Sequence, residues 1–419
     1  MEYLYHLFKK HPSVSTDSRK VNPGDLFFAL KGDHFDGNDY ARKAIDAGAA
    51  YAIIDKPVGS GDRFIFVPDA LEALQQLAQL HRKEMGTPVV ALTGTNGKTT
   101  TKELIAAVLG TRFQICATQG NLNNHIGVPL TLLRINRTTQ IAVIEMGANH
   151  PGEICSLAAL AQPDYGLVTN VGKAHLEGFG SLQGVMQTKG ALYEAAKVLF
   201  VNADNPLLCE MAEQRGGQKK KRFYGLRHQK ASILPVDELH PFLRLQVPGY
   251  PPIETQLIGA YNADNVLAAL AVGAYFDVEP ALAVEAVKNY KPTNNRSQWM
   301  LTAKNRLIID AYNANPTSMA AALDNFEQLQ SSHKAVILGD MLELGADSVS
   351  EHGALVERIN NMQKNGKIEQ LFLVGPRLGN QFADVNELKN FLSKNPLTNA
   401  TILIKGSRGM RLEQVLEVL

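Results

Sequence analysis

The stretch PVVALTGTNGKTTTKELIAAVLG (residues 88–110) does most to limit what this chain can fold into. Its first part is an unbroken apolar run, the pattern of a strand buried on both faces, and its last part carries apolar residues at helical spacing. A strand, a glycine-bearing turn and a helix in that order form the unit of a parallel α/β sheet. The turn lies where such sheets hold phosphate: successive backbone N–H groups can surround the anion while the helix N-terminus adds partial positive charge. Gly94 and Gly97 remove side chains that would block that approach. Lys98 would bring a mobile positive charge to the β- and γ-phosphates, and Thr99 a hydroxyl ligand for Mg²⁺. The spacing departs from the ordinary G-x-x-x-x-G-K-[ST] loop, because Leu92 stands where the first glycine belongs. A glycine-rich turn with a chance lysine would share the short core; the strand-loop-helix setting favours phosphate.

The same alternation runs through the chain. GDLFFAL, AAYAIID and RFIFVP read as strands and DYARKAIDAGA as a helix within residues 1–85; IAVIEMG and YGLVTNVG join PVVALTG within 86–296; NRLIIDAY, KAVILGD, EQLFLVG and ATILIKG follow within 297–419. The expectation is three consecutive α/β domains, the central one a phosphate-loop type with a mostly parallel sheet and the last Rossmann-like. A length of 419 residues suits about three domains. VPGYPPIE (247–254) and YKPTNNRSQ (290–298) read as loops or linkers. Lys and Arg number 42 against 41 Asp and Glu, so no basic field argues for nucleic acid or an anionic membrane, and an anionic ligand must be gripped locally. Cys116, Cys155 and Cys209 are odd in number and lack a C-x-x-C pair, which suits buried or idle thiols in a reducing cytoplasm. NVLAALAVGAYF (265–276) falls well short of the ~20 residues of a membrane span, and the N-terminal apolar stretch is broken by Lys9 and Lys10. A soluble, cytoplasmic monomer is expected.

The complete loop, T-G-T-N-G-K-T-T, resembles the nucleotide loop of the Mur ligase family, in which Asn before Gly-Lys replaces the ordinary spacing. The resemblance covers essentially the whole chain. It implies ATP and Mg²⁺ as cofactors, with Gly94, Thr95, Asn96, Gly97, Lys98, Thr99 and Thr100 on the nucleotide. TDSRKVNPGDLFFALKGDHFDGNDY (16–40) resembles the domain that holds the UDP part of the substrate, through Asp17, Ser18, Arg19, Lys31 and Gly32, with Asp36 and Gly37 closing the motif. By itself this segment is only a polar turn and a solvated loop.

Further positions follow from the resemblance. Glu145, at the end of a buried-strand candidate, becomes a Mg²⁺ ligand; position alone allows a solvent-facing Glu equally well. His175, in NVGKAHLEGFGS, would complete the metal set, although a lone His is more often structural. Lys189, in MQTKGALYEAAK, would carry CO₂ as a carbamate and join the metal set, where an ammonium would repel Mg²⁺; most lysines simply lie on a surface. Asn265 in GAYNADNVLAALAVG would contact the ATP base, while Asn262 or Asp264 could cap a helix there. Arg296 would reach the nucleotide phosphates from the boundary with the third domain, or serve as a linker charge. Catalysis is assigned to Lys98, Lys189, His175 and Arg296.

DAYNANPTS and ILGDMLELG resemble the family type that adds D-alanyl-D-alanine to a UDP-N-acetylmuramoyl-tripeptide. The D-Y-A-H-T-P and D-N-P-[RK] motifs of the type that adds the third amino acid are absent. Asp310 and Asn313 would face the nucleotide and Asn315 the dipeptide, though an Asn-rich turn after a strand is ordinary on propensity. His352 is a candidate base for the incoming amine. Rival readings are a ligase adding one amino acid, and an NTPase switch or motor.

Overall fold

The computed structural model describes residues 1–58, 61–236, 241–293 and 295–419. Three mostly parallel sheets organise it. The first joins Val14–Ser15, Leu26–Phe28, Tyr51–Ile54 and Phe64–Phe66 in that spatial order. Leu26–Phe28 is wholly buried because helix Ala41–Asp46 covers one face of this sheet and helix Ala70–Met85 the other. Gly37 is required where the chain re-enters: a Cβ there would lie 2.4 Å from the Leu30 carbonyl.

Helix Ala70–Met85 starts at Asp69, whose carboxylate accepts from the Glu72 N–H, and stops at left-handed Gly86. Its apolar face enters a core shared by the first and second sheets, including Leu74, Leu77, Val89 and Ile144. Buried Arg82 adds a bond to the Ala161 carbonyl at 2.9 Å and an ion pair to Asp164 at 2.9 Å. The first domain therefore sits on the second through one long helix. The N-terminal segment forms helix Glu2–Lys10, with Leu4, Tyr5 and Phe8 in the same core.

The central sheet has six parallel strands, in the order Lys220–Tyr224, Val198–Asn202, Tyr165–Val168, Val89–Thr93, Ile141–Glu145 and Ile115–Ala117. Val89–Thr93 and Ile141–Glu145 are buried throughout, as continuous apolar runs between two layers of helices must be. The chain leaves Ile141–Glu145 on one side of Val89–Thr93 and returns as Tyr165–Val168 on the other. The crevice at the carboxyl end of Val89–Thr93 is thus a topological switch point, the place where open α/β sheets bind ligands. Helix Lys98–Gly110 leaves from it and packs on helix Ala263–Tyr275.

The third sheet runs Gln298–Leu301, Arg306–Asp310, Thr401–Lys405, Lys334–Gly339 and Gln370–Val374, with only the first strand antiparallel. VPGYPPIE, expected as a loop or linker, is a loop over residues 247–252: it turns the hairpin of a small antiparallel sheet of Ser232–Ile233, Arg244–Gln246 and Ile253–Glu254, and Leu245, Ile253 and the adjacent Val247 enter the central core. Its strands are too short to show a period in sequence. Of the three free thiols, Cys116 is buried and Cys209 partly so, but Cys155 is exposed. No helix among the described residues is long and apolar enough to cross a membrane.

Candidate active site

The glycine-rich loop forms because only glycine fits its two tight points. A Cβ on Gly94 would meet Thr169 Oγ1 at 1.8 Å, and one on Gly97, at φ +78°, would meet Asn265 Oδ1 at 2.6 Å. The loop is clamped from the next strand end. Asn96 N–H donates to Asn170 Oδ1 at 2.9 Å, and its carbonyl accepts from Thr169 Oγ1 at 2.6 Å and Asn170 Nδ2 at 3.0 Å. Thr95 N–H donates to the Asn170 carbonyl, and Thr95 Oγ1 accepts from Gly172 N–H at 3.0 Å. Lys98 Nζ donates to the carbonyls of Gly94 at 2.7 Å and Thr95 at 3.0 Å. Burial lowers its pKa to about 8, against the opposing pull of Glu145 and with the help of Arg296.

Glu145 stands beside the loop, 1% exposed. Its Oε1 accepts from Thr99 Oγ1 at 3.1 Å and Asn123 Nδ2 at 2.8 Å, and its backbone N–H donates to Thr118 Oγ1 at 2.9 Å. Its Oε2 is buried and has no partner. A buried carboxylate oxygen without a donor costs free energy unless a cation or another donor meets it. Oxygen donors from Thr99 and Glu145 are the ligand chemistry of Mg²⁺, which takes one or two carboxylates and completes its shell with water and phosphate. Among the described residues no group of three or more His, Cys, Asp or Glu gathers as a dedicated cage.

Lys189, on helix Leu182–Ala195, is 2% exposed. Among the described residues it has neither a hydrogen bond nor a carboxylate partner; its ammonium lies 5.8 Å from the Phe179 ring centroid. Burial and the nearby Lys98 charge hold its pKa well below the ordinary lysine range. His175, at φ +50°, pairs through Nδ1 with Glu343 of the third domain at 2.7 Å, which leaves Nε2 for another ligand.

Asn265 stands behind Gly97. Its Oδ1 accepts from Thr101 Oγ1 at 2.9 Å and its Nδ2 donates to Asn262 Oδ1 at 2.8 Å, so the amide braces the loop. Arg296 lies over Tyr312, its guanidinium carbon 3.8 Å from the ring centroid, with Arg408 at 5.6 Å from the same ring. Asp310 accepts from buried Lys405 at 2.5 Å and from the Ser297 N–H at 3.3 Å. Asn313 Oδ1 accepts from Ala314 N–H, and its carbonyl accepts from Lys405. Asn315 caps helix Pro316–Gln328 and reaches Asn96 of the loop.

His352 is removed as a candidate base. It is buried, its Nδ1 donates to the Ser348 carbonyl at 2.6 Å, and its Nε2 accepts from the Met341 N–H at 3.0 Å, so neither nitrogen is free to take a proton. In the first domain Arg19 grips Asp17 in a two-point ion pair, 2.9 Å at each contact, which pulls the Asp17 pKa down to about 2. Lys31 pairs with Asp55 at 2.9 Å; Ser18 shares a turn with Arg19, and Gly32 follows Lys31 in the short strand Lys31–Gly32. Among the described residues no hydrogen bond or ion pair joins this group to the nucleotide loop.

Residues not singled out in sequence complete the site: Thr118, Asn123, Thr169, Asn170, Tyr312, Glu343 and Lys405. QGNLNNH offers three asparagines, and nothing in their order tells which one meets Glu145; Asn170, directly after a buried strand, carried the better signal.

Three family models match in succession: "Mur ligase family, catalytic domain" over residues 12–82, "Mur ligase middle domain" over 92–273, and "Mur ligase, glutamate ligase domain" over 295–408. The chain is 36% identical to the UDP-N-acetylmuramoyl-tripeptide--D-alanyl-D-alanine ligase of Bacillus subtilis strain 168, over 96% of this chain and 92% of that one. It is 36% identical to the ligase of the same name from Escherichia coli K12, over 97% and 93%. Among solved structures, MurF from Acinetobacter baumannii superposes with a TM-score of 0.85 at 29% identity, covering 97% of this chain and 92% of that one. MurF ligase from Thermotoga maritima in complex with ADP superposes with a TM-score of 0.85 at 25% identity, covering 97% and 96%. Matched from end to end by relatives at this identity, the chain belongs to the Mur ligase family.

Proposed function

We propose that this chain is an ATP-dependent amide-bond ligase, adding D-alanyl-D-alanine to a UDP-N-acetylmuramoyl-tripeptide through an acyl phosphate in peptidoglycan precursor synthesis. The observation that carries the reading is the convergence of the braced loop at 94–100, unpartnered Glu145 Oε2 and uncharged-prone Lys189 at one switch point, in a chain whose near-full-length relatives bear that ligase's name. Residues 1–85 would hold the UDP end of the substrate through Asp17, Ser18, Arg19, Lys31 and Gly32, residues 86–296 the nucleotide, and residues 297–419 the dipeptide.

A carboxylate is a poor electrophile. The tripeptide's terminal carboxylate attacks the γ-phosphorus of ATP, forming an acyl phosphate and releasing ADP. Lys98 and the loop N–H groups neutralise the charge that develops on the phosphate oxygens, and Arg296 adds a second guanidinium charge from the domain boundary. Thr99, Glu145, His175 and Lys189 would hold Mg²⁺, which when bound neutralises phosphate charge. A neutral amine is the form that adds CO₂, making an N–C bond and releasing a proton. Burial keeps Lys189 toward that form, and the carbamate so made carries the negative charge that suits a cation. The dipeptide amine then attacks the acyl carbon, and the tetrahedral intermediate gives up the amine proton and expels phosphate to leave the new amide. Closure of the third domain keeps water from the acyl phosphate.

Phosphate release with ATP, Mg²⁺ and UDP-N-acetylmuramoyl-tripeptide, followed by product mass, tests the reading. Release should require the dipeptide and the product should gain one dipeptide mass. Release that ignores the dipeptide, or that proceeds with a single amino acid, would overturn it.

A pH dependence follows from Lys98. With a pKa of about 8 in the free protein, Lys98 is charged below that pH and loses its charge above it. ATP affinity should hold below pH 8 and then weaken by up to about tenfold per pH unit, with Lys98→Arg flattening the decline. Calorimetric titration between pH 7 and 9.5 reads this, and a flat wild-type curve would remove Lys98 from the phosphates.

A further inference from the structure

The Asn96 peptide is fixed by Thr169 and Asn170 of the central domain, so its side chain alone is left to face another element. It meets Asn315, a residue 219 positions away in the third domain. Asn315 Nδ2 donates to Asn96 Oδ1 at 2.8 Å, and Asn96 Nδ2 donates to Asn315 Oδ1 at 3.4 Å. Asn315 is equally well anchored at its other end. Its Oδ1 accepts from the Ser318 N–H at 2.8 Å and its own N–H donates to Ser318 Oγ at 3.1 Å, a capping box at the head of helix Pro316–Gln328. The two amides thus connect two rigid bases, the nucleotide loop one residue before Gly97-Lys98 and a helix start in the third domain.

The surroundings support a docking role. Thr317, two residues further on, packs on Gly172, where a Cβ would fall 2.6 Å from Thr317 Oγ1. Lys173 pairs with Glu351 at 2.6 Å and His175 with Glu343 at 2.7 Å, each pair crossing between the same two domains. Those ion pairs contain well-exposed members, and salt and water weaken them. Asn315 is only 8% exposed, and a neutral amide pair is directional yet opens without stranding a buried charge. That combination suits a contact re-formed in each cycle.

We propose that the Asn96–Asn315 amide pair is the positioning contact that seats the third domain on the nucleotide loop, so that phosphoryl transfer and amine attack take place in one closed arrangement. The inference rests on the ligase reading above for its kinetic part only. Asn315→Ser keeps a strong helix cap but is too short to reach Asn96; Asn315→Asp keeps the cap and the acceptor while losing the donor. In the full-length protein, Asn315→Ser should lower kcat for ligation about tenfold or more while the ATP dissociation constant stays within about threefold. Asn315→Asp should fall between it and wild type. In the double variant Asn96→Ala/Asn315→Ser the loss should be no greater than that of the slower single variant, because both remove the same contact. Small-angle scattering with a non-hydrolysable ATP analogue should give a larger radius of gyration for Asn315→Ser than for wild type. Equal radii, an unchanged kcat, additive losses, or a loss of ATP affinity matching the loss of kcat would each overturn the proposal. If wild type makes no dipeptide adduct, the ligase reading fails, and the scattering comparison still decides the amide pair.

Discussion

Replacing Lys98 by alanine should reduce kcat/KM for ligation by about 10³-fold, with a weaker effect on overall folding. The reason is positional. Lys98 begins helix Lys98–Gly110 and its ammonium already lies against the carbonyls of Gly94 and Thr95, beside the backbone N–H groups that would surround the phosphates. Phosphoryl transfer depends almost entirely on positioning and charge neutralisation, so removal of the one mobile cation of the loop leaves the developing charge to the amides and to Arg296. Lys98→Arg should recover part of the affinity and little of the rate, because a planar fork cannot occupy the place of a compact ammonium. Single-turnover phosphate release separates the chemical step from binding. A Lys98→Ala protein within tenfold of wild type in that step would show that the loop serves structure rather than transfer.

Lys189→Ala is expected to cost about 10²-fold in kcat, with the ATP dissociation constant little changed. A plain buried ammonium would make the opposite forecast, since its removal would relieve repulsion toward Lys98 and toward any cation at Glu145. Small carboxylates such as formate or acetate should restore part of the lost rate by placing a negative oxygen where the carbamate stood, and ¹³CO₂ should give a carbamate signal in wild type that the variant lacks. Full activity in the variant, or loss without rescue and without a carbamate signal, would reduce Lys189 to a packing role. Stability supplies an independent readout. The folded-state pKa of Lys189 lies below its unfolded value, so the unfolded chain binds more protons between the two values. In protein prepared free of CO₂, where Lys189 is a free amine, wild-type stability should therefore rise with pH across that window, the full penalty being present below the folded pKa, and Lys189→Ala should lose this component of the slope.

Much of the fold was legible because it rests on local order. Val89–Thr93 and Ile141–Glu145 are continuous apolar runs, which only a sheet covered on both faces can bury, and both strands lie in the central parallel sheet. Gly94 and Gly97 announced a loop that side chains could not enter, and the close approaches of Thr169 and Asn265 are the physical reason. The three-stranded antiparallel sheet was not legible, since strands of two or three residues carry no period; only the proline-marked loop of its hairpin could be read. His352 illustrates the reverse error: a polar residue near a motif looked chemical, but its ring is consumed by two hydrogen bonds to the backbone.

The sequence by itself determined the class of sheet, the phosphate loop and the residue types available to it, because these depend on neighbours within a few positions of one another. Only the tertiary structure decided that Glu145 retains an unpartnered oxygen, that Lys189 is buried, and that Asn96 meets Asn315. Those properties are set by what surrounds a group in space, by dielectric and by unsatisfied hydrogen-bond geometry, and residues distant in the chain supply all three.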